Sequence, residues 1–202
     1  MIAIIDYGVG NLFSLKSSFK AIGQDTVVTS DVEVIKKADK LILPGVGAFG
    51  DASKKLRESG LDKVVIEQAN SGKPLLGVCL GMQMLFEKSY EYGEHQGLGL
   101  LKGQVVSFDL PKEYKIPHIG WNALRFEKQS PLLKYINEKD CVYFVHSYHA
   151  VNCDDSLIAT TEYGRTVTAL VGKDNVYGAQ FHPEKSGDVG LKILKAFCEL
   201  GE

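Results

Sequence analysis

The chain has 202 residues, 45% of them hydrophobic and 24% charged, with a formal net charge of -2. That length suits one domain over residues 1–202 with a substantial core, and the near-neutral charge gives no footprint for nucleic acid or an anionic membrane. No apolar run approaches the ~18 residues of a membrane span, and the start "MIAIIDYGVGN" lacks the basic and apolar regions of a signal peptide, so a cytoplasmic protein is expected.

In chain order, the first ninety residues alternate strand and helix: "IAIIDY", "NLFSLKSSFKAIG", "TVVTS", "VEVIKKA", "KLILPG", "PLLGVCL" and "MQMLFEKS". The strands are short unbroken apolar runs, as in a parallel sheet buried on both faces. Leu12, Leu15, Phe19 and Ile22 make one apolar stripe on the first helix, and Gly23 stands where a C-terminal cap belongs. From about residue 97 the texture changes to "GQVVSF", "NALRF", "CVYFVHSYHAV", "LIATTEY", "RTVTALVG" and "NVYGAQFH", several of which alternate as antiparallel strands do. A helix, "VGLKILKAFCEL", closes the chain. The expected fold is α/β: a doubly wound, mostly parallel sheet with helices on both faces and an antiparallel, strand-rich second half.

Cysteines 79, 141, 153 and 198 show no C-x-x-C spacing, so reduced thiols are expected, with neither a metal site nor a disulfide framework. Cys79 is distinctive. In "GVCLGMQ" it lies between glycines at a strand-to-helix junction, the pattern of a nucleophile elbow, G-x-C-x-G in place of G-x-S-x-G. The helix starting near Gly81 would favour a thiolate, and the Leu80 amide would donate to an oxyanion. For the elbow alone, a buried inert thiol is the alternative.

A cysteine nucleophile needs a base, and the histidines are 95, 118, 146, 149 and 182. His95 lies in a polar loop, while His118, His146 and His149 lie in or beside strands, where structural roles serve equally. His182 differs because "HPE" places Glu184 two residues on, on the same side of an extended backbone, where it can orient the imidazole. "LILPGVGAFGD" ends a strand in a glycine-rich turn whose Gly47 amide is the best second oxyanion donor, although a plain turn fits locally as well. It is not a phosphate-binding loop, for no G-K-[ST] follows. "DYGVGNLF" fails as a dinucleotide fingerprint because Phe13 occupies the third glycine position.

With "PGVGAFG", "GVCLGMQ" and "HPEKS" in this order, the chain resembles the class I, triad-type glutamine amidotransferases over nearly its whole length. "IDYGVGN", "IPHIGWN" and "YFVHSYHA" are similar to blocks of the glutaminase subunits of imidazole glycerol phosphate synthases, enzymes of histidine biosynthesis. The resemblance implies that Cys79 attacks the glutamine carboxamide, His182 protonates departing ammonia and then activates water, and Glu184 orients His182. It implies glutamine contacts at Gln83, His146, Ser147 and Tyr148, no cofactor, and a (β/α)8-barrel cyclase subunit as partner. Asn11, Trp121 and Lys185 are the candidate interface residues, with a core position the alternative for Trp121. An amidotransferase of another synthase (anthranilate or aminodeoxychorismate type), a non-catalytic nucleotide-binding or interaction module, and a cysteine peptidase are the competing readings.

Overall fold

The structure, a computed structural model, describes residues 1–201. In chain order the first half runs β1 (Ile2–Ile5), α1 (Leu12–Ala21), β2 (Thr26–Thr29), α2 (Val32–Lys37), β3 (Lys40–Leu43), α3 (Phe49–Glu58), α4 (Leu61–Asn70), β4 (Leu75–Val78) and α5 (Leu80–Met84). The second half runs β5 (Lys88–Ser89), β6 (His95–Gln96), β7 (Gln104–Ser107), β8 (His118–Ala123), β9 (Arg125–Phe126), β10 (Cys141–His146) and β11 (Tyr148–Val151). It ends with β12 (Leu157–Glu162), β13 (Thr166–Lys173), β14 (Val176–Ala179) and α6 (Gly187–Cys198).

Both halves feed one sheet in the order β2-β1-β3-β4-β14-β13-β12-β9. Pairing is parallel from β2 through to β14 and antiparallel beyond it. Strand alternation sorts the apolar runs between two cores. Ala3, Ile5, Leu41, Leu43 and Leu75 pack with Phe49, Leu56 and Val65 of α3 and α4. Ile2, Ile4, Ile42, Leu76 and Val78 pack with Leu15 and Phe19 of α1 and Ile193 and Phe197 of α6. The expected doubly wound sheet with an antiparallel extension is therefore present. At the end of α1, Gly23 (φ +76°) donates to Lys20 O and Gln24 donates to Phe19 O. This is the Schellman closure expected of that glycine.

Three local expectations are corrected. The stretch 82–89 is not one helix: α5 ends at Met84, and Lys88–Ser89 is a strand paired with β6 and β7. The carbonyls a longer helix would use are taken by the returning chain, since Leu98 N donates to Met84 O, and Leu100 N and Leu101 N to Leu85 O. The run 141–151 is not one strand either. It breaks at Ser147, with β10 pairing to β8 and β11 pairing to β7. Finally, Pro183–Lys185 is a 3-10 turn, so the backbone is extended at His182 (φ -95°, ψ 100°) but not on to Glu184.

Candidate active site

The parallel pair β4–β14 brings the motifs together. Register aligns Val78 with Ala179, and the Cys79 N–H continues the ladder to Ala179 O at 2.7 Å. The next residue on one strand is thus Cys79 and, on the other, Gln180, two residues before His182. Cys79 has φ +53° and ψ -110°, a conformation L-residues adopt only when their surroundings enforce it. What enforces it is close packing. A Cβ on Gly81 would lie 1.9 Å from Leu43 O, and one on Gly77 would lie 2.7 Å from the Gly81 carbonyl. The glycines therefore let α5 rest directly on β3 and β4, which turns the sulfur out of the strand line. A second contribution expected from the sequence is smaller than anticipated, because α5 has only five residues and its end carries little macrodipole.

His182 and Glu184 meet across the 3-10 turn: His182 Nδ1 lies 2.8 Å from Glu184 Oε1, with both side chains withdrawn from water. Burial disfavours the charged imidazole, but hydrogen bonds and negative charge from Cys79 and Glu184 outweigh it and push the His182 pKa up to about 10. The turn is stapled to β10 by Ser186, a residue sequence reasoning passed over within "HPEKS". Its Oγ donates to His182 O and accepts from Tyr143 N, and His182 N donates to Tyr143 O.

A cavity of about 320 Å3 opens over the sulfur, lined among others by Gly47, Cys79, Leu80, Gln83, His146, Ser147, Tyr148 and His182. Cys79, His182, both oxyanion candidates and all four glutamine-contact candidates thus share one space, with Glu184 behind the imidazole. As the first residue of α5, Leu80 has an N–H with no acceptor inside the helix. Gly47 holds φ +87° in the exposed turn facing it. His146 lines the wall with both ring nitrogens engaged inside the protein, on Tyr148 O at 2.8 Å and on His118 Nδ1 at 3.0 Å. Burial, reinforced by neighbouring histidines, pushes it down to about 3, so it is a neutral wall residue.

The cavity also contains a group the sequence did not single out. Glu91 lines it, accepts from Phe49 N at 2.8 Å through Oε2, and has a carboxyl whose pKa is raised by burial. Nothing in "EYGEHQG" distinguished it. A larger cavity of about 550 Å3 on the α3 side shares Glu91 but is lined by Arg57, Lys54, Tyr92 and His95 and contains no cysteine.

Of the interface candidates, Trp121 is 56% exposed on β8, so the core position is excluded, and Ile119 beside it is equally exposed. Lys185 is exposed at the cavity rim. Asn11 is the half-buried N-cap of α1, with no side-chain capping bond. No helix among the described residues is long and apolar enough to cross a membrane.

This arrangement, an elbow cysteine beside a buried His–Glu pair, coincides with a family match: the model described as "Glutamine amidotransferase class-I" covers residues 3–199. The chain belongs to that family. It is 55% identical over 199 residues, 98% of each chain, to the imidazole glycerol phosphate synthase subunit HisH of Lactococcus lactis subsp. lactis (strain IL1403). To the HisH subunit of Aquifex aeolicus (strain VF5) it is 53% identical, covering 98% of this chain and 96% of that one. Among solved structures, a glutamine amidotransferase superposes with TM-score 0.75 at 21% identity, covering 98% of this chain and all of that one. PurLQS from Thermotoga maritima superposes with TM-score 0.77, also at 21% identity, covering 98% and 96%. At that identity the superpositions establish the amidotransferase fold.

Proposed function

We propose that this chain is the glutaminase subunit of an imidazole glycerol phosphate synthase, hydrolysing glutamine at Cys79 and delivering ammonia to a barrel cyclase subunit in histidine biosynthesis. The observation that carries the reading is the buried His182–Glu184 pair beside the elbow sulfur in one cavity. The Cys79 thiolate attacks the carboxamide carbon, and negative charge moves onto its oxygen, where the Leu80 and Gly47 amides serve as donors. His182, held as imidazolium by Glu184, gives its proton to the amine as the C–N bond breaks, which leaves a thioester and free ammonia. The neutral imidazole then takes a proton from water. Hydroxide attack releases glutamate, and the thiolate and imidazolium are restored.

Glu91 supplies the negative charge that suits the α-ammonium of glutamine, while Gln83, Ser147 and Tyr148 line the rest of the amino-acid pocket beside neutral His146. Ammonia is mostly protonated in neutral water and loses its nucleophilicity there, which is a physical reason for direct transfer. Trp121, Ile119 and Lys185 lie exposed for the partner, and Asn11 completes the proposed face.

The reading is tested by glutamate release from glutamine with and without the cyclase subunit and its ligand. Release that requires Cys79 and rises with the cyclase supports it, and release that survives Cys79→Ala overturns it. The names of the close relatives favour this synthase over an anthranilate-type one.

A further inference from the structure

Gln180 is completely buried, lies on the strand continuation beside Cys79, and has no part in the chemistry above. We infer that Gln180 is a built-in hydrogen-bond donor to the reacting sulfur, its amide locked in the donating direction by a chain that ends on the Tyr148 carbonyl. The inference deepens the proposed function by adding a residue to the same site.

The direction follows from counting donors and acceptors. Tyr148 O is a backbone carbonyl and can only accept, so the end of Gln83 lying 3.0 Å from it is the amide nitrogen. That same Nε2 is 3.0 Å from the side chain of Gln180, which must present its oxygen there, since two NH2 groups face to face leave both unpaired. The other end of Gln180 is then Nε2, and it lies 3.8 Å from Cys79 Sγ. His146 fixes the anchor further, because its Nδ1 donates to the same Tyr148 carbonyl at 2.8 Å. The direction of both side-chain amides is thus set by the one bond to the Tyr148 carbonyl.

Opposing this donor is an acceptor. Val145 O lies 3.9 Å from the sulfur and suits the neutral thiol, whose S–H it accepts. A thiolate loses that bond and gains the Gln180 N–H, so the two contacts favour opposite protonation states, and only the Gln180 contact is a donor. Hydrogen bonding to the charged form favours that form. The titratable groups facing Cys79 are His182 from the 3-10 turn and Tyr7 from the end of β1, whose hydroxyl is pushed well up by burial and by charge on Cys79. Glu91, His146 and Lys185 line the same cavity.

The decisive variant is Gln180→Met. It keeps nearly the same shape and adds no charge, but it takes the N–H away from the sulfur. Alkylation of Cys79 by iodoacetamide, followed across pH in the full chain by peptide mass to separate it from the other cysteines, reads the sulfur without requiring glutamine turnover. The expected result is that the pH at which Cys79 becomes reactive rises by about one unit or more. Glutaminase kcat, measured with the cyclase subunit, should fall ~10-fold or more with KM within about threefold, the sign of an interaction made in the reaction rather than in binding.

An unchanged alkylation profile overturns the inference and makes Gln180 a spacer for Gln83. Loss of turnover in the wild type would instead count against the proposed function and leave the alkylation comparison intact. Should Gln180→Met fail to fold, the wild-type side-chain amide of Gln180, followed by 15N NMR, gives the answer. Its signal should move with the same midpoint as Cys79 alkylation, and a flat response overturns the assignment.

Discussion

His182 Nδ1 and Glu184 Oε1 are 2.8 Å apart, and their side chains retain only 3% and 1% of their exposure. A carboxylate this dry acts on the imidazole with little screening, and the imidazole pKa of about 10 lies above its ordinary 6.5. The sign follows from the raised value: the pair's contribution to stability is complete below about 6.5 and is lost as pH rises through about 10. Glu184→Gln keeps the shape and removes the charge. Imidazole titration by NMR should show the His182 midpoint falling, and kcat should drop by ~10⁴, the size of the effect when the carboxylate of a serine-protease triad becomes an amide. An unshifted His182 midpoint would show that Cys79 alone holds the proton.

How far the sequence carried this site depends on whether the cause was local. Cys79, His182 and Glu184 were legible because an elbow and an H-P-E tripeptide are chain-local patterns. The two-sided core was legible because unbroken apolar strand runs and a helix stripe are local too. The end of α5 was not, since it is set by Leu98, Leu100 and Leu101 returning to carbonyls fourteen to sixteen residues back. The break at Ser147 was hidden for the same reason, because β10 and β11 look continuous until each finds a different partner strand. Glu91 and Gln180 gave no signal at all, being placed by tertiary packing from an ordinary loop and an ordinary strand end.

Gly81 of the elbow and Gly47 of the glycine-rich turn should fail in different ways when substituted. Gly81→Ala would put a methyl 1.9 Å from Leu43 O, a backbone atom that cannot step aside. Urea unfolding should show a loss of ~3 kcal/mol or more. Gly47 meets nothing within 4 Å, so Gly47→Ala adds only the strain of φ +87°, about 1 kcal/mol. Its larger effect should appear in glutamate release, because a turn driven out of the left-handed region redirects the proposed oxyanion amide. Equal stability losses in the two variants would contradict this division.

Trp121 faces its cross-strand neighbour Tyr143 edge-on, ring centroids 5.9 Å apart, yet stays 56% exposed. A side chain so open contributes little to folding, and Trp121→Ala should shift stability by no more than ~1 kcal/mol. As an aromatic anchor for the cyclase subunit it should matter more, weakening association by about 2 kcal/mol or more. Calorimetric titration of the cyclase against the variant, alongside its thermal melt, separates the two quantities. Unchanged affinity would remove Trp121 from the interface.

Glu91 offers the sharpest check on how glutamine sits in the cavity. Its Oε2 accepts from Phe49 N at the start of α3, and burial raises its carboxyl, so the charge is kept at some cost and a cationic ligand would relieve it. Glu91→Gln retains an oxygen for the Phe49 amide, which leaves α3 seated. What it removes is the charge opposite the α-ammonium. KM for glutamine should rise ~10-fold or more, because a charged hydrogen bond is lost in the bound ground state and the transition state alike, while kcat stays within about threefold. The selective readout is substrate choice: the variant should lose most of its preference for glutamine over an analogue lacking the α-amino group, and a preference that survives would place the ammonium elsewhere in the cavity.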